Sequence, residues 1–539
     1  MFASRGKRLL QGLLVLLAIS MVAAGCSTNN TGNSSDAAGE QNAKTITMAW
    51  PRDIGPMNPH LYNPSQLLAQ SMIYEPLVSY KDGKIVPTLA ESWTLSPEGK
   101  VYTFKIRSNV KFSDGTAFTA QLVKRNMDAV LNNMKMHTWL GVIPLIEKTE
   151  ALDDTTFQLT LKEPYYPALY DLAVVRPVRF LGEAGFPEDG DTSKGVASPI
   201  GTGPWVLSTY KKDESATFTP NPYYWGEKPK VDKVVVKVIP DAETRVLSFE
   251  KGDLDLIYGE GLISYDAYKQ LESAGKYVTK LSDPIATRNL VLNTMNGKLA
   301  DLKVRQALSM GFDKEAMVEG VMLGLEEKAD YILPPNLPYA NIKVSPVKYD
   351  VEQANSLLDE AGWKLASGTN VREKDGEPLE LELIYDKADL TQKAMAETLQ
   401  AEWSAIGVNL KITGVELTVY IQRRKANEFD INFYSTFGAP YDPHSFMTAV
   451  VQQGFGVSDT LAALPMKAEI DKKIKEGMAT TDDQARTELF GSVLTTLQEQ
   501  SSILPISYIK QIAVYQKDVT DFNFPSNRDE YPLYGMDKK

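Results

Sequence analysis

A strand–helix–strand pattern that occurs twice, over a hundred residues apart, constrains this chain more than any other feature. In the first copy Val234 to Ile239 is a nearly continuous apolar strand, closed by Pro240 and Asp241. A helix then runs through Val246, Leu247 and Phe249 to a stop at Gly252, and Leu254 to Tyr258 returns as a strand. In the second copy Leu379 to Tyr385 is the strand, and Met395, Leu399, Trp403 and Ile406 recur at helical spacing up to Gly407. Val408 to Ile412 is the next strand, and a further helix near Tyr420 leads to a strand at Phe429 to Tyr434. Parallel strands joined by a helical crossover explain this order and spacing. Two such regions so far apart predict two α/β lobes rather than one barrel. The length allows it: the chain has 539 residues, and single cores stop growing beyond about 250–300.

Shorter signals fill in the first half. Thr45 to Trp50 reads as a strand, and Val101 to Ile106 alternates with Tyr102, Phe104 and Ile106 on one face. Thr119 is placed to cap a helix that carries Leu122, Val123, Met127, Val130 and Leu131 on one side. Thr155 to Leu161 alternates again.

The N-terminus has a different character. Arg5, Lys7 and Arg8 flank an apolar stretch from Leu9 to Ala24 that only Gln11 and Ser20 interrupt, followed by Gly25 and Cys26. This is a signal-peptide layout over residues 1–25, too short for a comfortable membrane span. Its end resembles a lipobox, with Ala23 in place of the usual Leu. Cys26 is the only cysteine, so no internal disulfide can form, and a lipidated Cys26 is the expectation. Residues 26–44 are rich in Asn, Ser, Thr, Gly and Ala, and a segment so poor in apolar surface reads as a tether.

The net charge is −12 and no run of Lys or Arg beyond the first ten residues suggests a phosphate-tracking surface, which argues against nucleic acid as a partner. The chain contains no HExxH, GxSxG or P-loop pattern. With three histidines and one cysteine, the nucleophile–base pairs of an exported peptidase or hydrolase lack their parts. The expectation is a protein that is not an enzyme and carries no cofactor.

Several ordered stretches resemble the family 5 extracellular solute-binding proteins of ABC importers. They are LAESWTLSPEGKVYTFKIRSNVKFSDGTAFTA from Leu89, GTGPW from Gly201, NPYYWGEKP from Asn221, FEKGDLDL from Phe249, LNT from Leu292, VRQAL from Val304 and YDVEQANSLLDEAGW from Tyr349. Within that family the nickel-binding members are the most similar, on AWPRDIGPMNPHLYNP (Ala49–Pro64), WLGVIPLIE (Trp139–Glu147), VRPVRF (Val175–Phe180), GAPYDPHSF (Gly438–Phe446) and LPISYI (Leu504–Ile509). The resemblance implies a two-lobed periplasmic-binding-protein type II fold with a ligand cleft between the lobes. Lobe I would be 45–282 with a C-terminal return at 506–539, and lobe II would be 283–505. It also implies a permease and its ATPase as partners, a membrane reached through the lipid anchor alone, and a monomer at the outer face of the cytoplasmic membrane.

None of His60, His137 and His444 lies in a metal-binding cluster, so an all-protein metal cage is not expected. Ni(II) would be held by an exogenous chelator such as histidine or an opine-type metallophore. The protein would then supply cationic groups for the chelator's carboxylates and aromatic walls for its flat faces. The resemblance places Tyr62, Trp139, Arg176, Tyr420 and Tyr441 in such a cleft, with Arg176 as the carboxylate fork. Apart from the resemblance, those aromatics read as core residues and Arg176 as half of a structural ion pair.

Three positions depart from the nickel-binding pattern: Met136 stands where a second Arg is expected, Phe437 where a Trp is, and Leu67 where a Met is. A metal-coordinating His expected about a dozen residues after GAPYDPH is missing, with Phe455 nearest. Of the histidines, His137 is the one expected beside ligand. His60 and His444, in loops next to prolines, are expected to be hydrogen-bonded structural residues, with metal contact as the lesser alternative. An opine-metallophore binder and a di- or oligopeptide binder are the alternative functions.

Overall fold

The computed structural model describes residues 43–55, 57–61, 67–365, 368–453 and 456–539. The signal segment, the tether up to residue 42 with Cys26, Tyr62 and Phe455 lie outside the described residues, while Lys44 at the tether's end is bonded to Asp232 and Asp537. Two large sheets organise the chain into a two-lobed α/β fold. The first has seven strands in the order Val278–Leu281, Ile512–Tyr515, Leu256–Tyr258, Thr45–Trp50, Lys233–Val238, Ser215–Pro220 and Trp205–Lys211. The second has six, in the order Glu327–Lys328, Ile503–Ile509, Ala286–Leu292, Ile431–Ser435, Glu380–Asp386 and Asn409–Val415.

Both repeats of the strand–helix–strand pattern are built as parallel crossovers. Lys233–Val238 and Leu256–Tyr258 run parallel to Thr45–Trp50, which is inserted between them. The Ala242–Glu250 helix that joins them is capped by Asp241, whose carboxylate accepts from the Thr244 amide. It buries Phe249, while Leu247 of the same helix is 55% exposed. In the second repeat Glu380–Asp386 pairs directly and in parallel with Asn409–Val415. The Leu390–Ser404 helix between them buries Met395, Leu399 and Trp403. Gly407 reverses the chain at φ +81°, a left-handed conformation that disfavours a side chain. A Cβ there would also lie 2.7 Å from Arg372 Cγ.

The chain passes between the sheets twice. It leaves the first after Leu281 and joins the second at Ala286, then leaves the second after Ile509 and rejoins the first at Ile512. The Ile503–Ile509 strand therefore runs through the boundary expected at 505–506, held by its pairing with Ala286–Leu292.

A four-stranded antiparallel sheet, in the order Ala90–Leu95, Val101–Ile106, Thr156–Leu161 and Ile146–Asp153, carries the elements nearest the expected site. Tyr102, Phe104 and Ile106 are buried on one of its faces. The Ala120–Asn132 helix packs on the same core through Val123, Met127 and Val130, and its N-terminus is capped by Thr119, whose hydroxyl accepts from the Leu122 amide. Trp139 and Tyr441 join this core too, although Tyr441 arrives from the distant 436–443 segment.

Candidate functional site

Trp139 and Arg176 form the clearest constellation. Trp139 follows the short 3₁₀ turn Met134–Met136, and Arg176 belongs to the buried 174–181 run, where it precedes a cis proline. The guanidinium carbon of Arg176 lies 4.2 Å from the centre of the Trp139 ring, a stacked cation–π contact. Beside them His137 is 1% exposed and neither of its ring nitrogens has a hydrogen-bond partner. Burial, and secondarily the positive charge of Arg176, push its pKa down to about 4, so the imidazole is neutral. The Trp139 indole nitrogen is buried and unpartnered as well. A buried polar atom left unsatisfied costs about 1–3 kcal/mol, so three in one neighbourhood mark a place suited to a polar guest.

The 436–443 segment supplies the next wall. The Tyr441 hydroxyl donates to Asp529 Oδ2 at 2.7 Å, and burial, reinforced by that carboxylate, pushes its pKa well above the ordinary phenol value. The electrostatics of Tyr441 register Arg176, which favours its ionised form against the larger effect of burial. The ring of Phe437 lies 6.2 Å from that of Tyr441, and the residue is 43% exposed. Arg528 braces this segment: its Nη1 donates to the Phe437 carbonyl at 3.1 Å and its Nη2 to Glu260 at 2.9 Å.

Phe437 also lines a cavity of about 360 Å³ with Tyr420, Arg424, Lys425, Ser435 and Gln392. Tyr420 is buried, and its hydroxyl donates to the Phe433 carbonyl at 2.7 Å. The Arg424 guanidinium sits 5.4 Å from the centre of its ring and 5.9 Å from that of Tyr434. Arg424 was not among the residues expected from the sequence. The available signal was its position four residues after Tyr420 in the Leu417–Ala426 helix, which puts both on one face.

The other candidates separate from this group. His60 is buried with both ring nitrogens engaged, Nδ1 with Thr192 at 2.9 Å and Nε2 with Asn126 at 3.0 Å and the Arg179 carbonyl at 3.2 Å. Burial pushes its pKa down to about 4. His444 does not lie in a loop as expected. It is the first residue of the His444–Val451 helix, which forms because Phe446, Met447, Ala449 and Val450 bury one face. Its Nε2 meets Asp171 Oδ1 at 3.1 Å. Met136 is 52% exposed, and Leu67 begins the Leu67–Ile73 helix. Among the described residues no three His, Cys, Asp or Glu side chains are grouped to hold a metal ion. The arrangement can stack a flat group, pair a planar cation with a carboxylate and lend a neutral imidazole.

Comparison with known proteins agrees with the fold. The profile of the bacterial extracellular solute-binding proteins, family 5, matches residues 84–456. The chain is 41% identical over 490 residues to the nickel-binding periplasmic protein of Escherichia coli K12, covering 90% of this chain and 93% of that one. It is 27% identical over 509 residues to the dipeptide-binding protein of the same organism, covering 89% and 92%. Among solved structures, NikA from Brucella suis in complex with Fe(III)-EDTA superposes with a TM-score of 0.89 at 42% identity, covering 92% of this chain and all of that one. NikZ from Campylobacter jejuni in complex with Ni(L-His) superposes with a TM-score of 0.76 at 23% identity, over 92% of this chain and 99% of that one, a likeness of fold alone.

Proposed function

The chain belongs to the family 5 bacterial extracellular solute-binding proteins, and from that premise we propose that it captures nickel, or a related transition metal, as a small-molecule chelate for an ABC importer. The observation that carries this reading is the Arg176–Trp139 stack beside the unpartnered His137 imidazole, in a protein whose described residues offer no metal cage. A chelator's carboxylate suits the Arg fork and its flat ring or chelate plane suits the indole. The similarity to a nickel-binding protein at 41% identity and to a relative holding Fe(III)-EDTA supports the same ligand class. Trp139, Arg176, Tyr441, Phe437 and Tyr420 are assigned to the chelate site, with His137 as the candidate protein donor. Tyr62, Leu67 and Met136 are assigned to the same site on family resemblance.

In this reading the lobes, 45–282 with the C-terminal return and 283–509, close on the chelate, so affinity includes the free energy of closure. Cys26 carries the lipid that tethers a monomer to the outer face of the membrane, where it hands ligand to a permease and its ATPase. The protein performs no chemistry on its cargo.

Thermal unfolding tests the assignment. A ligand that binds only the native state at about 100 times its Kd adds about 2.7 kcal/mol of stability. Nickel together with histidine, or with another polydentate amino acid such as an opine, is expected to raise the midpoint more than nickel or the chelator alone. The 27% identity to a dipeptide-binding protein favours a second reading. A rise with dipeptides in place of every chelate would establish it and refute the first.

A further inference from the structure

The strongest unassigned feature is the cationic wall of the cavity beside the Leu417–Ala426 helix, a cavity that shares Tyr420 and Phe437 with the chelate site. Its lining includes two cations, Arg424 and Lys425, and no carboxylate, in a protein whose net charge is −12. The carboxylates felt by its tyrosines lie outside the lining. Asp386 and Asp389 accept the backbone amides of Ala388 and Gln392, and Asp442 is buried with its pKa pushed up to about 6 by that burial. The Arg424 guanidinium lies 5.4 Å from the centre of the Tyr420 ring and 5.9 Å from that of Tyr434, looser cation–π contacts than the 4.2 Å stack of Arg176 on Trp139. A guanidinium carries five N–H groups in a planar fork that can grip a carboxylate with two parallel hydrogen bonds. Gln392 and Ser435 add neutral polar groups to the same lining.

Position ties this cavity to the first site. Phe437 lines it, and the Phe437 ring meets Tyr441, the residue whose phenol registers Arg176. The 436–443 segment thus contributes Phe437 to the Arg424 cavity and Tyr441 to the surroundings of Arg176. The two arginines come from distant parts of the chain: Arg424 from the helix that links two strands of the second sheet, Arg176 from the irregular segment after the Ala168–Ala173 helix. A volume of about 360 Å³ admits a carboxylate arm with part of its metal chelate, at the low end of small-molecule pockets.

We propose that Arg424, with Lys425 behind it, is a second carboxylate-binding subsite, so that the chelate presents one carboxylate to Arg176 and another to Arg424. This rests on the chelate reading and narrows it: the cargo is a metal complex with at least two carboxylates and net negative or neutral charge. It also accounts for Met136 standing where a second cation is expected, because Arg424 of the Leu417–Ala426 helix furnishes that cation instead.

The test is a titration with Fe(III)-EDTA, an anionic aminopolycarboxylate, and with nickel plus histidine, followed by tryptophan fluorescence. Wild type, Arg176→Gln, Arg424→Gln and Arg424→Lys are compared, together with the unfolding midpoint of each unliganded protein. Arg424→Gln is expected to weaken Fe(III)-EDTA at least tenfold with an unchanged midpoint, and Arg424→Lys to weaken it less because the charge is kept. If Arg424→Gln binds both chelates as wild type does while Arg176→Gln does not, the subsite is refuted and the first site stands. Equal losses in both Arg424 variants, with a midpoint lowered by several degrees, would make Arg424 a purely structural residue and overturn the proposal. If Arg176→Gln also binds as wild type, the chelate reading falls and the subsite with it.

Discussion

Replacing Arg176 separates the two things its side chain is assigned to do. The guanidinium is stacked 4.2 Å from the centre of the Trp139 ring and is flanked in sequence by the buried Val174, Val175 and Val178. A partly desolvated cation–π contact is worth about 1–2 kcal/mol, and it orients the fork in the unliganded protein. Charge-assisted hydrogen bonds to a carboxylate add about 1.5–3 kcal/mol. Arg176→Gln removes the charge and the fork together. The cation–π contact is made with or without ligand, so the loss in binding is that of the hydrogen bonds, about 1.5–3 kcal/mol, which is roughly a 10- to 150-fold rise in Kd. Arg176→Lys keeps a cation over the ring and loses the bidentate geometry, for roughly a 3- to 10-fold rise. Isothermal titration calorimetry of nickel–histidine into each variant reads these numbers. Because the pair is partly buried, the ratio between wild type and variant should change little between low and moderate salt. Arg176→Gln within threefold of wild type would refute the placement of the chelate, and Arg176→Lys equal to wild type would refute the fork.

Asp171 joins distant parts of the chain: one oxygen meets His444 Nε2 at 3.1 Å and the other accepts from the Val142 amide at 2.8 Å. Asp171→Ala leaves both buried partners unsatisfied, and a loss of about 2–4 kcal/mol in urea unfolding is expected; a loss under 0.5 kcal/mol would show that the contact is not formed in solution. Burial pushes Glu75 up to about 7 from an ordinary 4.5, so between those values the folded chain binds a proton that the unfolded chain has released. Its contribution to stability is full below pH 4.5 and is lost as pH rises through 7. The midpoint of wild type relative to Glu75→Gln should therefore fall from pH 4.5 to pH 7.5, and a constant difference would contradict the shift. His60 and His137, pushed down to about 4, act in the opposite sense between pH 4 and 6.5, which is why the comparison is made between variants. Cys26→Ser is expected to move the protein from the membrane fraction to the soluble fraction, and retention at the membrane would refute the lipid anchor.

Local features were legible in the sequence and long-range ones were not. The Thr119 cap, the stop at Gly407 and the alternating face of Tyr102, Phe104 and Ile106 each depend on a few neighbouring residues, and each stands as read. The insertion of Thr45–Trp50 between the two strands of the first repeat is a pairing across some 190 residues, which periodicity does not encode. Leu247 shows the limit within one helix, where an apolar residue at plausible spacing faces solvent. At the candidate site, family resemblance pointed to Trp139 and Arg176, and the structure stacks them together. That Tyr441 is bound to Asp529, 88 residues away, depends on tertiary folding alone. Arg424 went unnoticed because a basic residue in the last turn of a helix is commonly there to meet the helix dipole.

A crystal structure of the protein grown with nickel and a carboxylate-bearing chelator, with data collected at the nickel absorption edge, tests the central claim most directly. The predicted result is one strong anomalous peak beside the Trp139 indole, with a chelator carboxylate about 2.7–2.9 Å from the Arg176 guanidinium. A peak at His60 or His444 with the Arg176–Trp139 stack unoccupied, or density for a peptide in its place, would contradict the account.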